Sequence, residues 1–151
     1  MLLNSEQHSN GITLLEVVIV ISIIGIIAAF AYPSYVDAIR TGRRVDAVTS
    51  LLKLQLDQEK WRANHARYAD KLGGDLCGSA DATGLCWGEN DILRKNYRLT
   101  ITAVAADGSG FVATATPRPD TDQIHDACKL IVINQDGPDM KASSDPSCWN
   151  H

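Results

Sequence analysis

Glu16 is the only charged residue between Ile12 and Tyr32, a stretch of 21 residues. An ionised carboxylate in hydrocarbon costs roughly 2.5 to 3.5 kcal/mol on insertion scales, so a chain that keeps one in an apolar span marks a functional position. The chemistry open to it is electrostatic. Beside a cation in a low-dielectric surrounding it is strongly attracted, and alone it is heavily penalised. Lying four residues past Ile12, it could also snorkel to a headgroup region.

Four cysteines, Cys77, Cys86, Cys128 and Cys148, all follow the apolar stretch. An even number leaves three pairings open, and sequence order suggests Cys77 with Cys86 and Cys128 with Cys148. Neither the Cys77 to Cys86 spacing nor the scattered His65, His125 and His151 fits a zinc finger or ribbon. Asp120, Asp122 and Asp126, then Asp136 and Asp139, supply oxygens that calcium uses, at spacings that match no EF-hand loop. Asp in turns is the ordinary reading. There is no Gly-x-Ser-x-Gly motif, no cysteine with an evident histidine partner and no phosphate-cradling glycine loop with lysine, so neither catalysis nor a cofactor is expected.

The charge balance narrows the partners. With Glu6 and Glu16 set aside, 14 basic residues face 16 acidic ones after Pro33, a net of −2. Nucleic-acid-binding domains tend to be strongly basic. DNA capture would have to rest on a local set: Lys71, Arg94, Lys95, Arg98, Lys129 and Lys141. A solvated surface is the favoured reading of those charges.

These groups need elements to carry them. At about 1.5 Å per helical residue, Ile12 to Tyr32 covers roughly 30 Å, enough to span a bilayer core. Residues 1–11 are polar and lack a basic n-region, the reverse of an ordinary cleaved signal, although Ala28, Ala29 and Ala31 end the apolar run with small residues. Gly25 lowers helix stability locally and Pro33 removes a hydrogen bond and is expected to bend the helix. From Ser34 to about Ala66 the pattern is amphipathic, with Val45, Val48, Leu51, Leu52 and Leu56 taken as the face for a sheet. Trp61 and Tyr68 read as packing anchors at its end. Residues 71–96 are glycine-rich loop.

Residues 97–104 alternate, Asp107-Gly108-Ser109-Gly110 is a turn, and residues 111–116 alternate again, which predicts an antiparallel hairpin ended by Pro117 and Pro119. Residues 128–134 read as a third strand and 136–139 as a turn.

Gly11-Ile12-Thr13-Leu14-Leu15-Glu16, the apolar run and Tyr32-Pro33-Ser34-Tyr35 together resemble a type IV prepilin. The resemblance implies cleavage by a prepilin peptidase between Gly11 and Ile12, N-methylation of Ile12, and pairing of the Glu16 carboxylate with the Ile12 ammonium of a neighbouring subunit during assembly. It also implies that the helix between Gly25 and Pro33 can lose helicity in the filament. A leader without Lys or Arg and an Ile at the first mature position depart from the family's usual pattern. Cys128 through Gly137 to Cys148-Trp149, with Arg43-Arg44-Val45-Asp46-Ala47, resembles type IVa minor pilins of the PilE kind.

The expected fold is α+β: a long amino-terminal helix packed on a small antiparallel sheet, with two disulfides. Residues 1–11 would be leader, 12–33 the membrane and filament-core helix, 34–66 the amphipathic helix of the head, and 67–151 the loop and sheet. Arg40, Arg43 and Arg44 lie just past the span, against the positive-inside bias, but cysteines suit an oxidising compartment and large domains cross despite charge, so the head is placed outside the inner membrane. By resemblance the partners are other pilins, the prepilin peptidase and the inner-membrane assembly platform, with DNA or a host surface outside the cell. The function implied is a structural minor pilin serving adhesion, twitching motility or DNA uptake. A type II secretion pseudopilin and a DNA-binding competence pilin are the alternatives.

Overall fold

The structure, a computed structural model, describes residues 12–73, 84–88, 95–104 and 107–150, with backbone alone for 102–104. The chain divides into two compact units, Met1–Asp37 and Ala38–His151. Helix α1, Leu14–Arg62, begins in the first and ends in the second.

In the first unit the helix starts at a cap. Thr13 Oγ1 accepts from the Glu16 backbone N–H at 3.2 Å, which occupies one of the donors a helix start leaves without a partner. Thr13-x-x-Glu16 is the capping-box spacing, and an acidic side chain in the first turn complements the helix dipole. The large apolar side chains from Ile12 to Tyr35 are all exposed. The mean hydropathy of the most apolar 18-residue window is 2.8, and none of that window is buried in the structure. Length and composition thus make this part long and apolar enough to cross a membrane. Gly25, Pro33 and Gly42 all lie within the continuous helical range.

The second unit holds the core. Ala47, Val48, Leu51 and Leu54 of α1 are buried with Tyr97, Leu99, Phe111, Ala113, Ala115, Ile131 and Ile133 of the sheet. This corrects the helix face read from the sequence. Val45, Leu52 and Leu56 are 39%, 45% and 55% exposed. The row that meets the sheet is 47, 51, 54 and 58, with Val48 beside it, and it includes an alanine and a glutamine. Gln58 is fully buried because its amide pairs with one backbone unit: Nε2 donates to the Ala69 carbonyl and Oε1 accepts from the Ala69 N–H, both at 2.9 Å. A buried polar side chain so satisfied carries little penalty.

α1 ends at Arg62, four residues before the expected Ala66. The reason is local. Asn64 N–H bonds back to Trp61 O, Arg62 Nη1 donates to His65 O, and Trp61 Nε1 donates to Arg67 O, so the chain curls over the helix end. Trp61 and Tyr68 then pack half-buried against the core.

The sheet is antiparallel with four strands in the order β1 (Tyr97–Val104), β2 (Phe111–Pro117), β3 (Ile131–Asn134) and β4 (Gly137–Pro138). β1 pairs with β2 from Tyr97 opposite Pro117 to Val104 opposite Phe111, with an irregularity between Ile101 and Ala103. β3 is three residues shorter at its start than expected. The fourth strand is the stretch read as a turn; it is only two residues long, and Gly137 takes a φ of +117° that glycine tolerates.

One disulfide is described, between the buried Cys128 and Cys148, with Cα atoms 5.8 Å apart. Cys86 is also disulfide-bonded, and Cys77 lies outside the described residues. The expectation of two disulfides is therefore met here for one pair. The segment Cys128 closes with Cys148 is also tied to β3: Val132 N–H donates to Ser143 Oγ at 3.0 Å, and Ser144 N–H to Leu130 O at 2.8 Å.

Candidate functional site

Of the residues the sequence singles out in the first unit, Gly11 lies outside the described residues, Ile12 is exposed just before the helix, and Glu16 is exposed in its first turn. Ser22 Oγ donates to Val18 O, so this hydroxyl in the middle of the apolar run is satisfied by the helix itself. What the stretch from Ile12 to Tyr32 can offer chemically is an apolar surface that carries the Glu16 carboxylate.

In the second unit a different set comes together. Arg40 and Arg44, one turn apart on α1, each grip an aspartate from the connection between β2 and β3. Arg40 Nε and Nη2 donate to Asp122 at 3.0 Å each. Arg44 Nε and Nη2 donate to Asp126 at 3.1 and 2.5 Å. Both are bidentate, the geometry in which a guanidinium binds a carboxylate most strongly. The two rungs differ in burial: Asp122 is half-exposed, while Asp126 is buried.

Asp126 anchors a network. Tyr97 OH donates to its Oδ2 at 2.7 Å, and Gln123 Nε2 lies 2.9 Å from the same oxygen, 3.0 Å from Tyr97 OH and 3.0 Å from Arg40 O. Burial pushes the Asp126 carboxyl up, but the Arg44 guanidinium with the Tyr97 and Gln123 donors outweighs it and holds it below the usual carboxylate value. The Arg44 pKa is raised, first by its hydrogen bond to Asp126. Tyr97 is pushed well above its ordinary value, first by burial and then by the Asp126 carboxylate, and so stays a neutral donor. On the exposed rung Arg40 holds Asp122 below the usual range, as Arg118 does Asp120.

The aspartates of this connection, Asp120, Asp122 and Asp126, are each engaged by an arginine. Asp139 Oδ1 accepts from the Lys141 and Ala142 N–H groups as an Asx turn. Among the described residues no group of three or more His, Cys, Asp or Glu could hold a metal ion.

Beside the network lies a cleft of about 380 Å³, walled by Arg43, Asp46, Thr49 and Ser50 of α1 on one side and Lys95 and Asn96 on the other, with Ala47 and Tyr97 also lining it. The Thr49 and Ser50 hydroxyls donate to the helix carbonyls of Val45 and Asp46, and Asn96 O accepts from Arg118 N–H, which pins that wall to the end of β2. Of the basic residues named for DNA, the structure places Lys95 here; Lys71, Arg98, Lys129 and Lys141 are exposed elsewhere, and Arg94 lies outside the described residues.

In the sequence Arg40 and Arg44 stand out only as charges just past the span, and Arg44 as part of a resemblance motif, not as partners of Asp122 and Asp126; Tyr97, Gln123 and the Thr13 cap carry no such mark. A signal for the ladder exists: two arginines and two aspartates, each pair spaced by four, on segments expected to be a helix and a polar connection.

Comparison with known proteins completes the picture. A family model described as "Type IV minor pilin ComP, DNA uptake sequence receptor" matches residues 33–132. One for the prokaryotic N-terminal methylation motif matches residues 7–32. The type IV major pilin protein PilA of Myxococcus xanthus (strain DK1622) is 36% identical over 65 residues, which are 43% of this chain and 30% of that protein, so the match spans under a third of that relative's length. A solved type IV pilin from Shewanella oneidensis is 21% identical, with 74% of this chain and 99% of that one covered at a TM-score of 0.49.

Proposed function

This chain belongs to the type IV minor pilin ComP family of DNA uptake sequence receptors, and from that premise we propose that it is a membrane-anchored pilus subunit whose head captures DNA for uptake. The observation that carries the reading is the family match across residues 33–132, which takes in the amphipathic half of α1, the hairpin and the Arg40/Arg44 ladder.

The subunit is made as a precursor with leader 1–11, membrane and filament-core helix 12–33, a head helix from 34 to the end of α1 at Arg62, and a loop and sheet region after it. A prepilin peptidase cuts between Gly11 and Ile12 and methylates Ile12, in keeping with the methylation motif over residues 7–32. Glu16 then pairs with the Ile12 ammonium of a neighbouring pilin in the apolar filament core, where a lone charge is costly and a pair is not. Gly25 and Pro33 let the helix between them relax in the filament. Cys77 and Cys86 form the second disulfide of the head. The partners are other pilins, the peptidase and the inner-membrane assembly platform, and the role is structural and receptive, not enzymatic.

The test is deletion of the gene in its own organism, with uptake of fluorescent DNA and pili both scored. Loss of uptake with pili still present supports the reading. Undiminished uptake contradicts it.

A further inference from the structure

A head of net −2 that captures DNA needs a place where positive charge is not cancelled. Most arginines near the β2–β3 connection do not provide it, because Arg40, Arg44 and Arg118 are committed to Asp122, Asp126 and Asp120. The 380 Å³ cleft next to them does. Its lining carries two cations, Arg43 and Lys95, against one carboxylate, Asp46, and neither cation has a hydrogen-bond or ion-pair partner among the described residues. The carboxylates just beyond the lining, Asp122 and Asp126, are neutralised by the ladder and do not repel an incoming anion as free aspartates would.

Resting on the DNA-capture reading, we infer that this cleft is a phosphodiester site, in which Arg43, Lys95 and the Asn96 amide take a DNA backbone phosphate. The donors suit the ligand. A guanidinium gives a phosphate two parallel hydrogen bonds, an ammonium adds a point charge, and a side-chain amide adds a neutral donor. The Ser50 and Thr49 hydroxyls are spent on helix carbonyls and serve as wall. The walls are positioned by secondary structure: five lining residues, Arg43, Asp46, Ala47, Thr49 and Ser50, come from about two turns of α1, and Asn96 is pinned through its carbonyl to Arg118 at the end of β2. Asp46 sets the limit on affinity, since its charge opposes the ligand. Contacts to backbone phosphate carry no sequence information, so this site fixes the register of the DNA while any reading of bases is done elsewhere.

The experiment uses the full chain in detergent, with a short fluorescein-labelled duplex titrated at several salt concentrations. The double variant Arg43→Gln/Lys95→Gln is expected to bind roughly tenfold more weakly and to lower the slope of log affinity against log salt by about 0.9, the value for one phosphate. Asp46→Asn is expected to bind more tightly than the parent, a direction that misfolding does not produce. A matched pair, Lys129→Gln/Lys141→Gln, changes net charge equally; an equal loss there, or parental affinity and slope in Arg43→Gln/Lys95→Gln, overturns the cleft while leaving DNA capture in place. No binding by the parent chain overturns both.

Discussion

Arg44 and Asp126, 82 positions apart, form a bidentate ion pair in which the carboxylate is 3% and the guanidinium side chain 13% exposed. Breaking a buried pair by removing one member leaves the other charge uncompensated. Asp126→Asn is expected to destabilise the head by about 3 kcal/mol, read by denaturant unfolding. The carboxyl pKa is lower folded than unfolded, so the stability it contributes is present above about pH 4 and is lost as pH falls through the folded value. The parent should therefore lose stability more steeply than Asp126→Asn below pH 4. Parallel pH profiles for the two would show that the pair contributes nothing.

Gly108 is held at a φ of +73°, and a Cβ added there would sit 2.4 Å from Arg67 Cγ. Its carbonyl accepts from Tyr68 N–H at 3.2 Å, so the chain leaving α1 is pressed onto the hairpin turn. Gly108→Ala is expected to cost roughly 1 to 3 kcal/mol, from left-handed strain together with the displaced arginine. Arg67→Gly in the same background should restore part of the loss. An unchanged melting temperature in Gly108→Ala would mean the turn re-forms another way.

The Cys128–Cys148 bond closes a segment with a sequence separation of 20 around β3 and β4. In the loop-entropy model a ring of that size is worth about 3 kcal/mol, a large share of the stability of a small domain. Cys128→Ser/Cys148→Ser should lower the denaturation midpoint accordingly under oxidising conditions, and reductant should do the same to the parent. No change in either would refute the clasp.

Glu16→Val keeps the backbone N–H that Thr13 caps, so the helix start is retained. Membrane levels should therefore stay unchanged. Incorporation into sheared pili should fall by an order of magnitude or more, because an unpaired ammonium in an apolar filament core costs a few kcal/mol. Immunoblots of membrane and pilus fractions measure this, and equal incorporation contradicts the pairing of Glu16 with Ile12.

How much of this was legible depended on the range of the interaction. The hairpin was readable because alternation and an Asp107-Gly108 turn are local signals, and both strands of the hairpin were placed to within a residue. On α1, size and branching point to Val48 and Leu51, which are buried, but equally to Val45, Leu52 and Leu56, which are exposed. Ala47 fits close against the sheet, Gln58 is satisfied by Ala69, and neither announces burial from composition. β4 was hidden by its length of two residues and its proline. The ladder joins positions 82 apart, so the matching four-residue spacings of Arg40/Arg44 and Asp122/Asp126 become a pairing only once the fold brings the two segments together. At the amino terminus the apolar run and Glu16 are plain in the sequence, while the Thr13 cap is present there only as a spacing.

The most direct measurement is intact and peptide mass spectrometry, without reduction, of the subunit recovered from pili of its own cells. A mature chain that begins at N-methylated Ile12 and carries Cys77–Cys86 and Cys128–Cys148 links is the predicted result. A chain that begins at Met1, or after Ala31, would contradict its processing and assembly as a type IV pilin.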